Sequence, residues 1–161
     1  MIKRTKTDTI VLHCAATKAS MDIGVEEIKK WHVVDNGWSD IGYHWVIRRD
    51  GTIEPGRDQT LVGSHARQVN GTSLGICLVG GLGDNNKWEN NFTQAQFVSL
   101  KALLHKLKDK YKVEKIIGHY EVDDVKKCPS FDVQEWKKNN NFIDCQFEKN
   151  LIQIRKLLNL I

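Results

Sequence analysis

Thr9-Ile10-Val11-Leu12-His13-Cys14 is the stretch on which the reading of this chain turns. It is short, apolar and partly β-branched, so it reads as a buried strand. It ends on a histidine and a cysteine, which puts metal-binding side chains where a strand leaves its sheet. Residues 74–79 form a similar apolar run, stopped by Gly80-Gly81. Residues 113–118 form another, running straight into His119. Residues 43–48 and 52–54 complete a set of five strands, and Asp50-Gly51 between them predicts a type I′ hairpin turn.

Helical spacing fills the gaps. Val25, Ile28 and Trp31 recur on one face, with Glu26, Glu27, Lys29 and Lys30 on the wet side, until Asn36-Gly37 ends the segment. Thr93 and Gln96 form a capping-box pattern ahead of the stripe Phe97, Leu100, Leu104, Leu107 and Tyr111. A short helix carrying Trp136 is expected after Cys128-Pro129. The tail, 147–161, reads as an amphipathic helix with Phe147, Leu151, Ile154, Leu158 and Ile161 on one face. That face suits packing on the domain, or contact with a membrane or a second chain. Strands and helices mix without strict alternation. The expected fold is therefore α/β, a mixed central sheet of about five strands flanked by helices.

At 161 residues the chain is long enough for one domain with a real core and too short for two. Hydrophobic residues at 40% and charged residues at 27% are an ordinary globular balance. A net charge of +4 favours an anionic partner such as a bacterial wall or a nucleic acid and identifies neither. The basic N-terminus is not followed by a signal-like apolar stretch, and no run approaches the length of a membrane span. The expectation is a protein made and kept in a cytoplasm. The four cysteines make no CxxC pair and are expected as thiols, with Cys14, Cys77 and Cys145 structural.

Three residues stand out as metal-binding candidates: His13 and His119 at two strand ends, and Cys128 at the turn before a helix. A His₂Cys set is one ligand short of a closed zinc tetrahedron, which leaves a position for water. Such an ion acidifies water and polarises a carbonyl, as amide hydrolysis requires. Spacing alone leaves open the plainer alternative of two hydrogen-bonded histidines and a buried thiol. His32 and His105, on charged helices, read as solvated or packed.

Several ordered motifs carry a resemblance. They are His13-Cys14-Ala15-Ala16-Thr17-Lys18, Gly42-Tyr43-His44, Arg49-Asp50-Gly51-Thr52, Gly63-Ser64-His65-Ala66, the run 73–81, Gly118-His119 and Cys128-Pro129-Ser130-Phe131-Asp132. Together they resemble the type 2 N-acetylmuramoyl-L-alanine amidases, including phage members, whose fold is related to the peptidoglycan recognition proteins. The likeness runs from about residue 8 to 136. It implies a zinc amidase domain over 1–140, with 141–161 as a C-terminal helical extension of the same domain. It implies zinc held by His13, His119 and Cys128, and catalytic roles for Tyr43 and a lysine just before the cysteine. Lys126 matches that lysine best. Lys127 is the alternative, because the gap from His119 to Cys128 is one residue longer than in the phage members. His65 resembles a residue that contacts substrate, whereas Glu121 is expected at the surface or behind the site.

The implied reaction cuts the amide between the lactyl group of N-acetylmuramic acid and L-alanine in peptidoglycan. The implied setting is a phage endolysin held in the host cytoplasm until release. Two alternatives stand beside it: a non-catalytic wall-binding module, against which Cys128 argues, and a regulator of a phage-type RNA polymerase. Nucleic acid is not expected as a partner.

Overall fold

The computed structural model describes residues 1–142 and 157–158. The tail helix expected over 147–161 therefore lies outside the described residues apart from Leu157 and Leu158, as does Cys145. Strand β1 (Thr9–Cys14) is buried along its whole length and sits inside a five-stranded sheet of order β4-β3-β5-β1-β7. Its neighbours β5 (Ser73–Leu78) and β7 (Lys115–Gly118) run parallel to it. Beyond β5 come β3 (Trp45–Ile47), also parallel, and the antiparallel edge strand β4 (Ile53–Pro55). A separate two-stranded ribbon pairs β2 (Thr17–Lys18) with β6 (Gly81–Leu82), which the sequence patterning did not anticipate.

Period-two alternation divides the core into two layers. Ile10, Leu12, Leu74, Ile76 and Leu78 face the long helix α2 (Gln94–Lys110) and the short α3 (Val133–Asn139). Phe142 closes this layer by stacking on Trp136. Val46, Cys77 and Val79 face the other way, toward α1 (Val25–Lys30), together with Ile23, Ile28 and Ile41. Cys77 is fully buried there, a core thiol as expected. His13 points to this second layer, because it is one residue out of phase with Leu12.

Helix α2 begins as its sequence predicts. The Thr93 hydroxyl accepts from Gln96 backbone N–H at 3.1 Å, and the Gln96 side-chain Oε1 accepts from Thr93 N–H at 3.0 Å. The Asp50-Gly51 turn differs from the expected type. A type I′ turn needs positive φ at both central residues, and here only Gly51 has it, at +90°. Gly51 N–H donates to Arg48 C=O at 2.9 Å and Arg48 N–H to Thr52 C=O at 2.9 Å. The hairpin thus uses a three-residue loop, a tight turn followed by a left-handed glycine. Helix α1 runs on to the Asn36-Gly37 stop that the sequence predicts, but its last stretch, Trp31–Asp35, is a π-helical turn. Among the described residues, no helix is long and apolar enough to cross a membrane.

Candidate metal centre

The sheet register assembles the site. Leu12 pairs with Gly118 at the last rung of the β1–β7 ladder, so His13, still paired with Cys77 of β5, and His119, which opens the turn after β7, stand side by side. Their ring centroids are 4.6 Å apart. Both stand at the C-terminal end of parallel strands, the edge at which open α/β sheets bind ligands. Cys128 arrives on the loop between β7 and α3. Tyr120 N–H holds its carbonyl at 3.0 Å, and the terminal amide of β1, Cys14 N–H, donates to its Sγ at 3.2 Å. One donor atom from each of His13, His119 and Cys128 lies within 4.8 Å of the others. His13 Nδ1 and Cys128 Sγ are 3.7 Å apart. Ordinary Zn–N and Zn–S bonds at a tetrahedral angle put two such donors about 3.5 Å apart, so the residues fit a shared ion of that kind.

Burial tunes these groups. His13 is 1% exposed. Desolvation, with the neighbouring histidines His65, His119 and His44, holds its pKa well below the ordinary value, so its ring is neutral and free to ligate. Burial lowers His119 as well, with the nearby Lys126 charge adding to the effect against an opposing Asp123. The hydrogen bond with the Cys14 thiol, and then burial, keep the Cys128 thiol well above its ordinary value. A bound cation reverses that preference, because a coordinating thiol is deprotonated.

Tyr43 is half-buried, its ring centroid 5.1 Å from that of His13. Desolvation first, then the nearby thiols, raise its pKa well above 10, so its hydroxyl remains a proton donor at neutral pH. Lys126 and Lys127 are both exposed on the loop before Cys128. Of the two, Lys126 is the one whose charge acts on His119.

His65 sits deeper than a cleft residue. It is 7% exposed, its Nδ1 lies 3.0 Å from His13 Nε2, and its Nε2 lies 3.3 Å from Ser73 Oγ. Two glycines make room for it: a Cβ on Gly63 or on Gly75 would come within 2.5 Å of the ring. Glu121 is committed elsewhere, accepting from Gly118 N–H at 2.7 Å and from the Gln134 amide. His32 is packed, accepting from Gly42 N–H at 3.0 Å and lying 4.5 Å from the Trp38 ring. His105 rests on Phe142 with centroids 4.6 Å apart. The His13–His65–Ser73 chain escaped the sequence reading, because its members lie on three separate segments. The motifs that hold its members, Gly63-Ser64-His65-Ala66 and the run 73–81, gave no sign that they meet behind His13.

Comparison with known proteins identifies the family. The family model Amidase_2, N-acetylmuramoyl-L-alanine amidase, matches residues 3–131. The chain is 50% identical over 141 residues to the endolysin of Klebsiella phage KP32, spanning 88% of this chain and 92% of that one. It is 49% identical over 141 residues, with the same coverage, to the endolysin of Escherichia phage T7. The solved N-acetylmuramoyl-L-alanine amidase LysC from Clostridium intestinale URNW superposes with a TM-score of 0.72 at 34% identity, covering 86% of this chain and 87% of that one. A match over most of its length, with the three converging donors inside the matched span, means that the chain belongs to the N-acetylmuramoyl-L-alanine amidase family.

Proposed function

We propose that this protein is a zinc-dependent phage endolysin that hydrolyses the amide between the lactyl group of N-acetylmuramic acid and L-alanine in bacterial peptidoglycan. The observation that carries the reading is the convergence of His13, His119 and Cys128 within 4.8 Å in a chain of the amidase family. Two nitrogens and one thiolate are a zinc-type donor set with one coordination position left over. When bound, zinc supplies Lewis-acid polarisation of a carbonyl and lowers the pKa of water toward 7.

The chain's own residues do the rest. Tyr43 is a neutral hydroxyl beside His13, suited to orient a water molecule or to pass on its proton. Lys126, felt by His119, is suited to donate to the oxygen that becomes negative as the amide carbonyl is attacked. His65 acts through His13 and is a positioning residue. With His13 Nδ1 turned toward Cys128, its Nε2 carries the proton and donates to His65 Nδ1. His65 Nε2 in turn donates to Ser73 Oγ. Such a chain fixes tautomer and ring orientation in a metal-binding histidine. A buried ring with both nitrogens engaged suits this role better than substrate contact.

In this role the protein waits in the host cytoplasm and reaches the wall on release. Binding of a phage-type RNA polymerase is a separate proposal, tested by pull-down with such an enzyme. The amidase reading is tested by mass spectrometry of digested peptidoglycan. The expected products are glycan strands free of peptide and intact stem peptides with new L-alanine amino termini. New reducing sugar ends, or no products at all, would overturn it. Elemental analysis should find one zinc per chain, lost in Cys128→Ala.

A further inference from the structure

A groove of about 510 Å³ opens beside the metal centre and is used by none of the roles above except that of Lys126. One wall is the loop that carries Cys128, since Lys126, Lys127 and Ser130 all line the groove. The other wall is Trp88, on the loop after β6. The two walls are tied together. Ser130 Oγ donates to Gly81 C=O at 2.9 Å, Glu89 N–H donates to the same carbonyl at 3.1 Å, and Leu82 bridges to Trp88. Asn91 braces the base of the loop, accepting from Gly81 N–H at 2.9 Å and donating to Leu82 C=O at 2.6 Å. Trp88 therefore stands at a set place across from a metal ligand's loop.

Its environment is unusual for an indole. Trp88 is 47% exposed, and among the described residues no other ring packs against it. Tyr120 and Phe131 add apolar surface to the groove, while Asp124 and Asp132 oppose Lys126 and Lys127. Two acids against two bases leave the lining with no net formal charge. A stem peptide with free carboxylates gains little from such a lining. A neutral ligand with many hydroxyl and amide groups and a flat apolar face matches it, and a pyranose ring has that character. Large aromatic side chains combine an apolar face with a polar edge, and sites of this size orient a ligand through a few placed polar groups.

We propose that this groove is a glycan subsite, with Trp88 as the platform on which an N-acetylated sugar ring of the wall polymer stacks. The naming of that polymer rests on the amidase reading. The scissile amide joins sugar to peptide, so glycan on the Cys128 flank leaves the Tyr43 flank of His13 for the stem peptide.

The test uses the zinc-loaded full chain, with chitotetraose as a neutral glycan probe and the free tripeptide L-Ala-γ-D-Glu-diaminopimelate as the peptide probe. Chitotetraose should bind the wild type and bind Trp88→Ala at least ten-fold more weakly, with Trp88→Phe in between and the tripeptide unaffected. On polymeric peptidoglycan, Trp88→Ala should raise KM about ten-fold while kcat stays within two-fold. In the wild type, whose fold is not in question, chitotetraose should shift the Trp88 indole N–H resonance. Equal chitotetraose affinity in wild type and Trp88→Ala, an unmoved indole resonance, or loss of tripeptide binding in the variant would each overturn the subsite. Binding is read without turnover. Glycan binding without amide cleavage would therefore retain the subsite and defeat the amidase reading, and the converse result would do the reverse.

Discussion

His13 uses both of its ring nitrogens, and that sets the predictions made at the scale of single side chains. Removing His65 should loosen the ion without touching its ligands. We expect His65→Ala to weaken zinc affinity about 10- to 100-fold, the usual cost of losing a partner behind a metal ligand, measured by competition with a chromophoric chelator. His65→Gln, whose amide oxygen can still accept a hydrogen bond from His13 Nε2–H, should recover part of that loss. A variant that keeps full zinc affinity and shows only a raised KM would return His65 to substrate contact. Tyr43 and Lys126 call for the opposite signature. Tyr43→Phe and Lys126→Ala should keep zinc bound and lower kcat by about 10²-fold or more, the scale of one positioned donor. A dead Lys127→Ala beside a healthy Lys126→Ala would move the role by one residue.

Helices and turns show where local chemistry is sufficient and where it is not. Helix α2 carries its own start signal. Thr93→Ala should cost about 1 kcal/mol by loss of the cap, read from urea unfolding. Gln96 does more than cap. It is fully buried, and its amide nitrogen donates to Ile47 C=O at 3.1 Å and Val79 C=O at 2.9 Å, fastening the helix to β3 and to the end of β5. Gln96→Ala should therefore cost more than Thr93→Ala, about 1–3 kcal/mol, because buried carbonyls lose a partner. Equal costs would reduce Gln96 to its capping role. Helix α1 has only half of such a signal: glycine precedes it and offers no capping side chain, although the Glu27 carboxylate accepts from Gly24 N–H at 2.8 Å. Its first amide, Val25 N–H, is taken at 2.6 Å by the Glu54 carboxylate of β4. A cap supplied from another strand has no signature near the helix it caps.

Among the described residues, one apolar layer lies between the sheet and α2 with α3 and the other between the sheet and α1, and neither is built on His13, His119 or Cys128. The metal should therefore add stability to a fold that exists without it. At free zinc about 1,000-fold above its Kd, binding contributes about 4 kcal/mol, which for a domain of this size is about 10 °C in Tm. Chelation should lower Tm by about that amount and leave a single cooperative transition by calorimetry. Loss of the transition on chelation would mean that the ion is part of the core.

Much of this architecture was legible in the amino-acid order because it depends on near neighbours. The run 9–14 reads as a strand from its own apolar and β-branched residues, α2 from its cap and stripe, and the candidate ligands from motifs at the strand ends. The turn type was misread, because Asp50-Gly51 serves two loop geometries and only the hairpin itself selects one. What only the tertiary structure decided are distances between segments far apart in sequence. The Leu12–Gly118 register sets His13 beside His119, the β1 terminal amide aims Cys128, and Ser130 ties the Trp88 loop to the Cys128 loop. The physical reason is that periodicity and capping act within a few residues. The place of His65 behind His13 depends instead on the free space over Gly63 and Gly75, which exists only once the strands have packed.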